Sequence, residues 1–411
     1  MSGEGGTGAD IAVVGGVYRE RCMRPAWREI YGSAGRAASA IASMGASVSL
    51  HSYLDPAAAE VLASRGAFEG FHVARNDSVQ EIAFDYDHGL ATPRILGRGV
   101  VGAALRVSAS RVLRFGMMDG DAIVHGQKVV YDPQDAYAPE SFHANGSTAD
   151  ELALVLNQHE AALLTGARDA SAETMAGDLM QQQRAAVVVI KRGAMGALVR
   201  DQHGVATVPA YQSQKVWKIG SGDNFAAHFA YRWLHEGRSA AESADLASRA
   251  TAYYCQTRGF ATPPVLESFT LSPIVPSEAF SRGHRPKVYL AGPFFSLAQL
   301  WLIEQARSDL LAAGLKVFSP YHDVGHGSAE DVVPLDLEGI NDADLIFAVG
   351  DGMDPGTVYE IGYARAKGKP VIVYCENESD ENKKMMGGSD CLLCDDYVSS
   401  IYQTLWTACR L

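Results

Sequence analysis

Short apolar runs, each closed by glycine or polar residues and followed by a stretch with helical spacing, recur along this chain and limit what it can fold into. They are clearest in the last third. Lys287–Ala291 (KVYLA) reads as a buried strand, Leu297–Ala313 as a helix and Lys316–Phe318 as a strand. Leu345–Val349 (LIFAV) reads as a strand, Val358–Ala366 as a helix and Val371–Tyr374 (VIVY) as a strand. Runs that are apolar throughout suit strands buried on both faces, and strands alternating with helices imply a parallel sheet covered by helices. The earlier part reads in the same way. Ile11–Val14 (IAVV) is a strand before Gly15-Gly16, Ala34–Met44 a helix, Ala186–Ile190 (AVVVI) a buried strand before a Gly193–Gly196 turn, and Asp223–Glu236 a helix. The expected fold class is α/β, with a mostly parallel sheet flanked by helices in each half.

A chain of 411 residues is too long for one ordinary core, so two domains are expected. The segment Leu271–Arg285 (LSPIVPSEAFSRGHR) holds two prolines and a glycine with no sustained period, and reads as a linker. The chain is therefore divided into a flexible tail over 1–9, a first domain over 10–270, a linker over 271–286 and a second domain over 287–411. With 47% hydrophobic and 20% charged residues the composition is that of a globular protein. A formal net charge of −13 argues against a broad face for DNA or RNA, so no nucleic-acid polymer is expected as a partner. No apolar run is long enough to cross a bilayer, and the start MSGEGGTGAD lacks the basic and apolar parts of a signal peptide. The expected location is cytoplasmic, without membrane association. The six cysteines fit it as free thiols, and Cys391 and Cys394 form a lone CxxC without the second pair a zinc site needs.

Four pieces of the last third carry chemistry: Tyr289–Phe295 (YLAGPFF), Asp336–Ile340 (DLEGI), Asp344 before LIFAV, and Asp354–Ala364 (DPGTVYEIGYA). Parallel sheets bind ligands beyond the carboxyl ends of their strands, and the first and fourth pieces both lie just past strand ends. Gly292 and Gly356 permit close backbone approach, and Phe294 and Phe295 offer flat faces on which a nucleobase can stack. Glu360 is read in the first turn of a helix, where the helix N-terminus favours an ionised carboxylate. Two neighbouring carboxylates can divide the work of attack and proton donation.

Together these pieces resemble the nucleoside 2-deoxyribosyltransferase family and its hydrolytic relatives, over roughly Lys287 to the C-terminus. The resemblance implies a flavodoxin- or Rossmann-like domain and the cleavage or exchange of an N-glycosidic bond, without a cofactor, in a nucleoside or nucleotide. It makes Glu360 the nucleophile, with Tyr289 orienting it and Asp336 acting in acid–base chemistry or orientation. Asp354 would fix the sugar or protonate the base. Gly292, Pro293, Phe294, Phe295, Gly356 and Thr357 would line the substrate site. The loop Ser319–Glu330, with His322 and His326, suits a nucleoside or a nucleoside monophosphate equally. The family resemblance also implies a homo-oligomer.

The first half has its own constellation. Lys218–Phe225 (KIGSGDNF) places backbone N–H groups and a carboxylate at a helix start, where the amides can hold an anion and the carboxylate can take a proton. Asn157–Glu160 gives N-x-x-E on a helix, a type of carboxylate that holds a water shell around Mg²⁺. Lys191–Ala197 (KRGAMGA) follows the AVVVI strand. In this order the motifs resemble the ribokinase-like (pfkB) carbohydrate and nucleoside kinases, from about Ile11 to about Leu266. The resemblance implies ATP and Mg²⁺, Asp223 as catalytic base, Gly220, Ser221 and Gly222 as an anion hole, Asn157 and Glu160 in the Mg²⁺–phosphate region, and Gly193 and Gly196 beside the nucleotide. The substrate side departs from the family. No Asp follows Gly15-Gly16, Arg36 stands where an Asn is expected, and Lys218 lies in a stretch that usually carries Asp-Thr. Arg36 and Lys218 point to a charged ligand. An active kinase, a weakened one and a non-catalytic nucleotide sensor all remain open on these residues.

Overall fold

The computed structural model describes residues 10–78, 81–97 and 102–411. The tail expected over 1–9 lies outside the described residues. The chain divides into two compact units: Met1–Ser213 with Trp217–Pro273, and Gln214–Val216 with Ile274–Leu411.

The first unit holds thirteen strands among its described residues: β1 (Ile11–Val14), β2 (Arg19–Arg24), β3 (Trp27–Ile30), β4 (Val48–Leu54), β5 (Phe71–Asp77), β6 (Ala83–His88), β7 (Arg94–Leu96), β8 (Leu105–Phe115), β9 (Ala122–Asp132), β10 (Thr148–Asn157), β11 (Val187–Lys191), β12 (Ala197–Asp201) and β13 (Gly204–Val208). Nine form one sheet in the order β13-β12-β11-β10-β9-β8-β1-β4-β5. Pairing is parallel from β5 to β11 and antiparallel at the β11–β12–β13 edge. Alternation along β1 sends Ile11 and Val13 into one core and Ala12 and Val14 into the other. The first core packs under the helices Gly32–Ser43, Ser221–Ala230 and Ala240–Thr257, and the second under Gln158–Thr165 and Ala172–Gln182. The helix expected over Asp223–Glu236 starts at Ser221 and passes into a π turn at Tyr231–His235. The remaining four strands form a small sheet in the order β3-β2-β6-β7. Its charged strand β2 (RERCMR) gave no apolar signal in the sequence.

In the second unit β14 (Lys287–Ala291), β15 (Lys316–Phe318), β16 (Leu345–Val349), β17 (Val371–Tyr374) and β18 (Leu392–Cys394) form one sheet, ordered β15-β14-β16-β17-β18. Every pairing in it is parallel. Each residue of β16 is buried. The chain runs from β14 outward to β15, then back past β14 to β16 and onward. Connections therefore diverge between β14 and β16, and a crevice opens at the carboxyl ends of those two strands. The loop after β14 and the helix after β16 (Pro355–Ala366) both start there. The segment 271–286 carries a short helix, Glu278–Ser281. Among the described residues no helix is long and apolar enough to cross a membrane.

Candidate functional site

At the crevice of the second unit, Tyr289 from β14 is fully buried and its hydroxyl donates to Glu360 Oε1 at 2.5 Å. The Tyr289 ring stacks on Phe318 of β15, 5.5 Å between centroids, so the hydroxyl is held by packing on its far side. Glu360 does not lie in the first turn of its helix. The helix begins at Pro355, so Glu360 is its sixth residue and the helix N-terminus is a turn away. Dipole stabilisation falls off within that first turn. Burial instead pushes the Glu360 carboxyl up to about 7, opposed by the Tyr289 hydrogen bond and reinforced by the negative charges of Asp336 and Asp354. The expectation of an ionised carboxylate held by the helix end is thus corrected: the environment makes Glu360 a carboxyl poised near neutrality. The Tyr289 phenol is pushed far above its ordinary value by burial and by Glu360, so it stays a donor.

Asp336 lies on the helix Ala329–Asp342, half-buried, and burial raises its carboxyl. Its Oδ1 is buried without a hydrogen-bond partner. Asp354 is the N-cap of the Glu360 helix, and its Oδ2 accepts from both the amide and the hydroxyl of Thr357. Thr357 is buried, so cap and threonine hold each other. Gly292 has a packing reason: a Cβ there would meet Ile303 Cδ1 at 2.6 Å and Val349 Cβ at 3.0 Å. Gly356 is exposed, and a Cβ there would sit 3.2 Å from Asp354 Oδ2. Pro293 is buried. Neither Phe294 nor Phe295 is core. Phe295 is 76% exposed, and Phe294 is half-buried against Phe295, Tyr321 and His326. Tyr321 and His326 were not singled out as partners of this pair by the sequence, since they reach it from the loop after β15. His322 pairs with Glu304 at 2.8 Å and with Ser319 Oγ. Asp344 accepts from the Lys287 amide at the far end of β14 and stands apart from the site.

The first unit encloses a cavity of about 660 Å³ at the carboxyl ends of β9, β10 and β11. It brings together Asn157, Glu160, Gly220, Gly222 and Asp223, and leaves Ser221, Gly193 and Gly196 outside its lining. Asn157 and Glu160 form a capping box, each side chain accepting from the other's backbone N–H. Arg36, read from the sequence as a ligand contact, is fully buried instead. Its guanidinium donates to Asp223 Oδ2 at 2.6 Å, Glu20 Oε2 at 2.5 Å and the Tyr254 hydroxyl at 3.1 Å. Gly220 adopts φ +75°, and a Cβ there would collide with the Arg36 guanidinium. The other oxygen of Asp223 accepts from Gln134 Nε2 at 2.5 Å. Lys218 donates to Ser221 Oγ at 3.0 Å and is not in the cavity lining. A second ion pair, missed by sequence reading, joins Lys191 Nζ to Asp132 Oδ2 at 2.5 Å. Burial pushes Asp132 up to about 7 against the pull of Lys191. Among the described residues no group of three or more His, Cys, Asp or Glu side chains is placed to hold a metal ion, and all six cysteines are free.

Two predictions follow from these geometries. Because the Glu360 carboxyl is raised from its ordinary 4.5 to about 7, it contributes stability below pH 4.5 that is lost as pH rises through about 7. In denaturant titrations of Glu360→Gln, the fall in stability across that window should flatten. Arg36→Ala would strand two buried carboxylates, Glu20 and Asp223, and should cost about 3–5 kcal/mol in the same measurement.

Comparison with known proteins finds a family model for part of each unit. Residues 128–266 match the model of the pfkB family carbohydrate kinases, and residues 288–390 that of nucleoside 2-deoxyribosyltransferase. Similar solved structures include a nucleoside kinase of Methanocaldococcus jannaschii, 13% identical with a TM-score of 0.48, covering 63% of this chain and 98% of its own. A fructokinase from Vibrio cholerae O395, 14% identical with a TM-score of 0.47, covers the same shares. A tetrameric inhibited form of phosphofructokinase-2 from Escherichia coli is 15% identical with a TM-score of 0.44, over 63% of this chain and 97% of its own. No curated protein matches the chain. The chain therefore carries a pfkB carbohydrate kinase domain followed, toward its C-terminus, by a nucleoside 2-deoxyribosyltransferase domain.

Proposed function

We propose that the second unit cleaves or exchanges the N-glycosidic bond of a nucleoside or nucleoside monophosphate through a glycosyl–Glu360 ester. The observation that carries this reading is the Tyr289–Glu360 hydrogen bond at 2.5 Å, with Asp336 near enough to raise the Glu360 carboxyl. In the first step a Glu360 oxygen attacks C1′. The C1′–N bond breaks, its electron pair goes to the base nitrogen, and the base takes a proton. Asp336 suits the donor role, since its buried Oδ1 has no partner and burial favours its protonated form. Asp354 suits a positioning role, since one of its oxygens is committed to Thr357. In the second step water or another base attacks C1′ and passes its proton to the Asp336 carboxylate, while the ester C1′–O bond breaks and returns the Glu360 carboxylate. Phe294, Phe295, Tyr321 and His326 offer the aromatic surface for the base, with Gly292, Pro293, Gly356 and Thr357 shaping the backbone around the sugar.

The test is base release from a panel of nucleosides and nucleoside monophosphates, separated by chromatography. Glu360→Ala should reduce the rate by about four orders of magnitude or more, as expected for removal of a nucleophile; base release at the wild-type rate would refute the proposal. The rate should climb with pH through about 7 as Glu360 ionises. Tyr289→Phe removes the bond that lowers the Glu360 carboxyl, so the acid limb should move to higher pH and the rate fall by about 10–100-fold.

A further inference from the structure

Phosphoryl transfer to a hydroxyl needs a base free to take a proton, amides free to hold an anion and a cation free to face it. In the first unit the base, the two cations and one of the helix-start amides are engaged from within. Both Asp223 oxygens are engaged, one by Arg36 and one by Gln134, and Gln134 is held in turn by Ser33. Taking a proton would cut a charge-assisted bond to a guanidinium that has no exposure to water. The Ser221 amide donates to the Lys218 carbonyl at 3.1 Å, so this N–H is already used within the chain. The one lysine in the cavity wall, Lys191, is bound to Asp132.

The wall of the cavity is acidic. Seven carboxylates line it against two cations, Arg114 and Lys191, and both cations are paired, Arg114 with Asp121 at 3.0 Å. Such a wall disfavours a polyphosphate and favours a ligand that donates hydrogen bonds. Asp132 supplies the second observation. It is fully buried in the cavity wall, and its Oδ1 has no partner. A buried carboxylate oxygen in that state wants a donor. Opposite in character stand Tyr18, Phe84 and Tyr86, which give the same cavity an aromatic wall.

We propose that this cavity is a receptor site: it binds a phosphate-free small molecule rich in hydroxyl donors and leaves it chemically unchanged. The same hydroxyl chemistry comes from an uncharged nucleoside or from a base-free polyol or sugar. The site is independent of the glycosidic reading of the second unit.

The experiment is calorimetric titration of the full chain with uncharged nucleosides, with neutral sugars and polyols, and with MgATP, each paired with a measurement of ADP. Running it on wild type and on Glu360→Ala removes turnover by the second unit, so failure of the glycosidic reading and failure of this one are told apart. Saturable binding of an uncharged ligand, weakened about tenfold by Phe84→Ala, with no ADP above background, is the expected result. Phe84 lies outside the ion-pair network, so this variant avoids stranding a buried charge. Asp132→Asn should weaken the same ligand, and circular dichroism reports whether that variant folds. The nucleoside and polyol arms show which source supplies the hydroxyls. The proposal is overturned if no uncharged ligand binds, if Phe84→Ala leaves binding untouched, or if a bound ligand drives ADP release that disappears in Asp223→Asn.

Discussion

The hydrogen bond from Tyr289 to Glu360 ties the end of β14 to the second turn of the helix after β16, and the chemistry proposed for the second unit depends on it. Both partners are placed by the sheet. β14 and β16 pair side by side with Tyr289 opposite Ile346, so whatever follows them emerges at one edge. The order β15-β14-β16-β17-β18 then parts the connections at that point and leaves room for a ligand. Gathering Glu360, Asp336 and Asp354 there is unfavourable for three negative charges. Burial first, and these neighbouring charges after it, make the Glu360 carboxyl hold its proton up to about 7. The phenol of Tyr289 is the one contact that pulls the other way, which gives it a function distinct from simple packing.

The two units treat buried charge in opposite ways. In the first, Glu20, Arg36 and Asp223 form a closed triad, and Asp132 closes on Lys191. One oxygen of Asp132 is left without a partner, and the cavity lining is rich in carboxylate and aromatic side chains. In the second, Glu360, Asp336 and Asp354 lack a cation partner among the described contacts, and burial raises the carboxyls of Glu360 and Asp336. A closed triad suits holding a shape, whereas a carboxyl poised near neutrality, as Glu360 is, suits proton and bond exchange.

Much of the second unit was legible in the sequence because its strands are short, apolar throughout and separated by clear helical spacing. KVYLA, LIFAV and VIVY occupy the residues expected, and the helix read from Leu297 ends one residue early, at Ala312. The position of Glu360 was misread by one turn because Pro355-Gly356 looks like loop. Proline is in fact well suited to the first turn of a helix, and Asp354 caps it. Harder to see was the small sheet of the first unit, since β2 is built of arginine, glutamate, cysteine and methionine with no alternation to follow. Arg36 was misjudged for a related reason. A lone arginine in a run of small residues looks like a surface or ligand contact, and only the fold shows Glu20 and Asp223 arriving from 16 and 187 residues away. Spacing reports local structure, whereas ion pairs closed over such distances leave no local trace.

The account rests on Glu360 forming a bond to C1′. The most direct measurement is peptide mass spectrometry after incubation with a nucleoside bearing fluorine at C2′, a substitution that slows breakdown of a glycosyl ester by destabilising its oxocarbenium-like transition state. A pentosyl adduct on the peptide carrying Glu360, formed as free base appears, is the predicted result. Free base released without any adduct, or an adduct on another carboxylate, would contradict it.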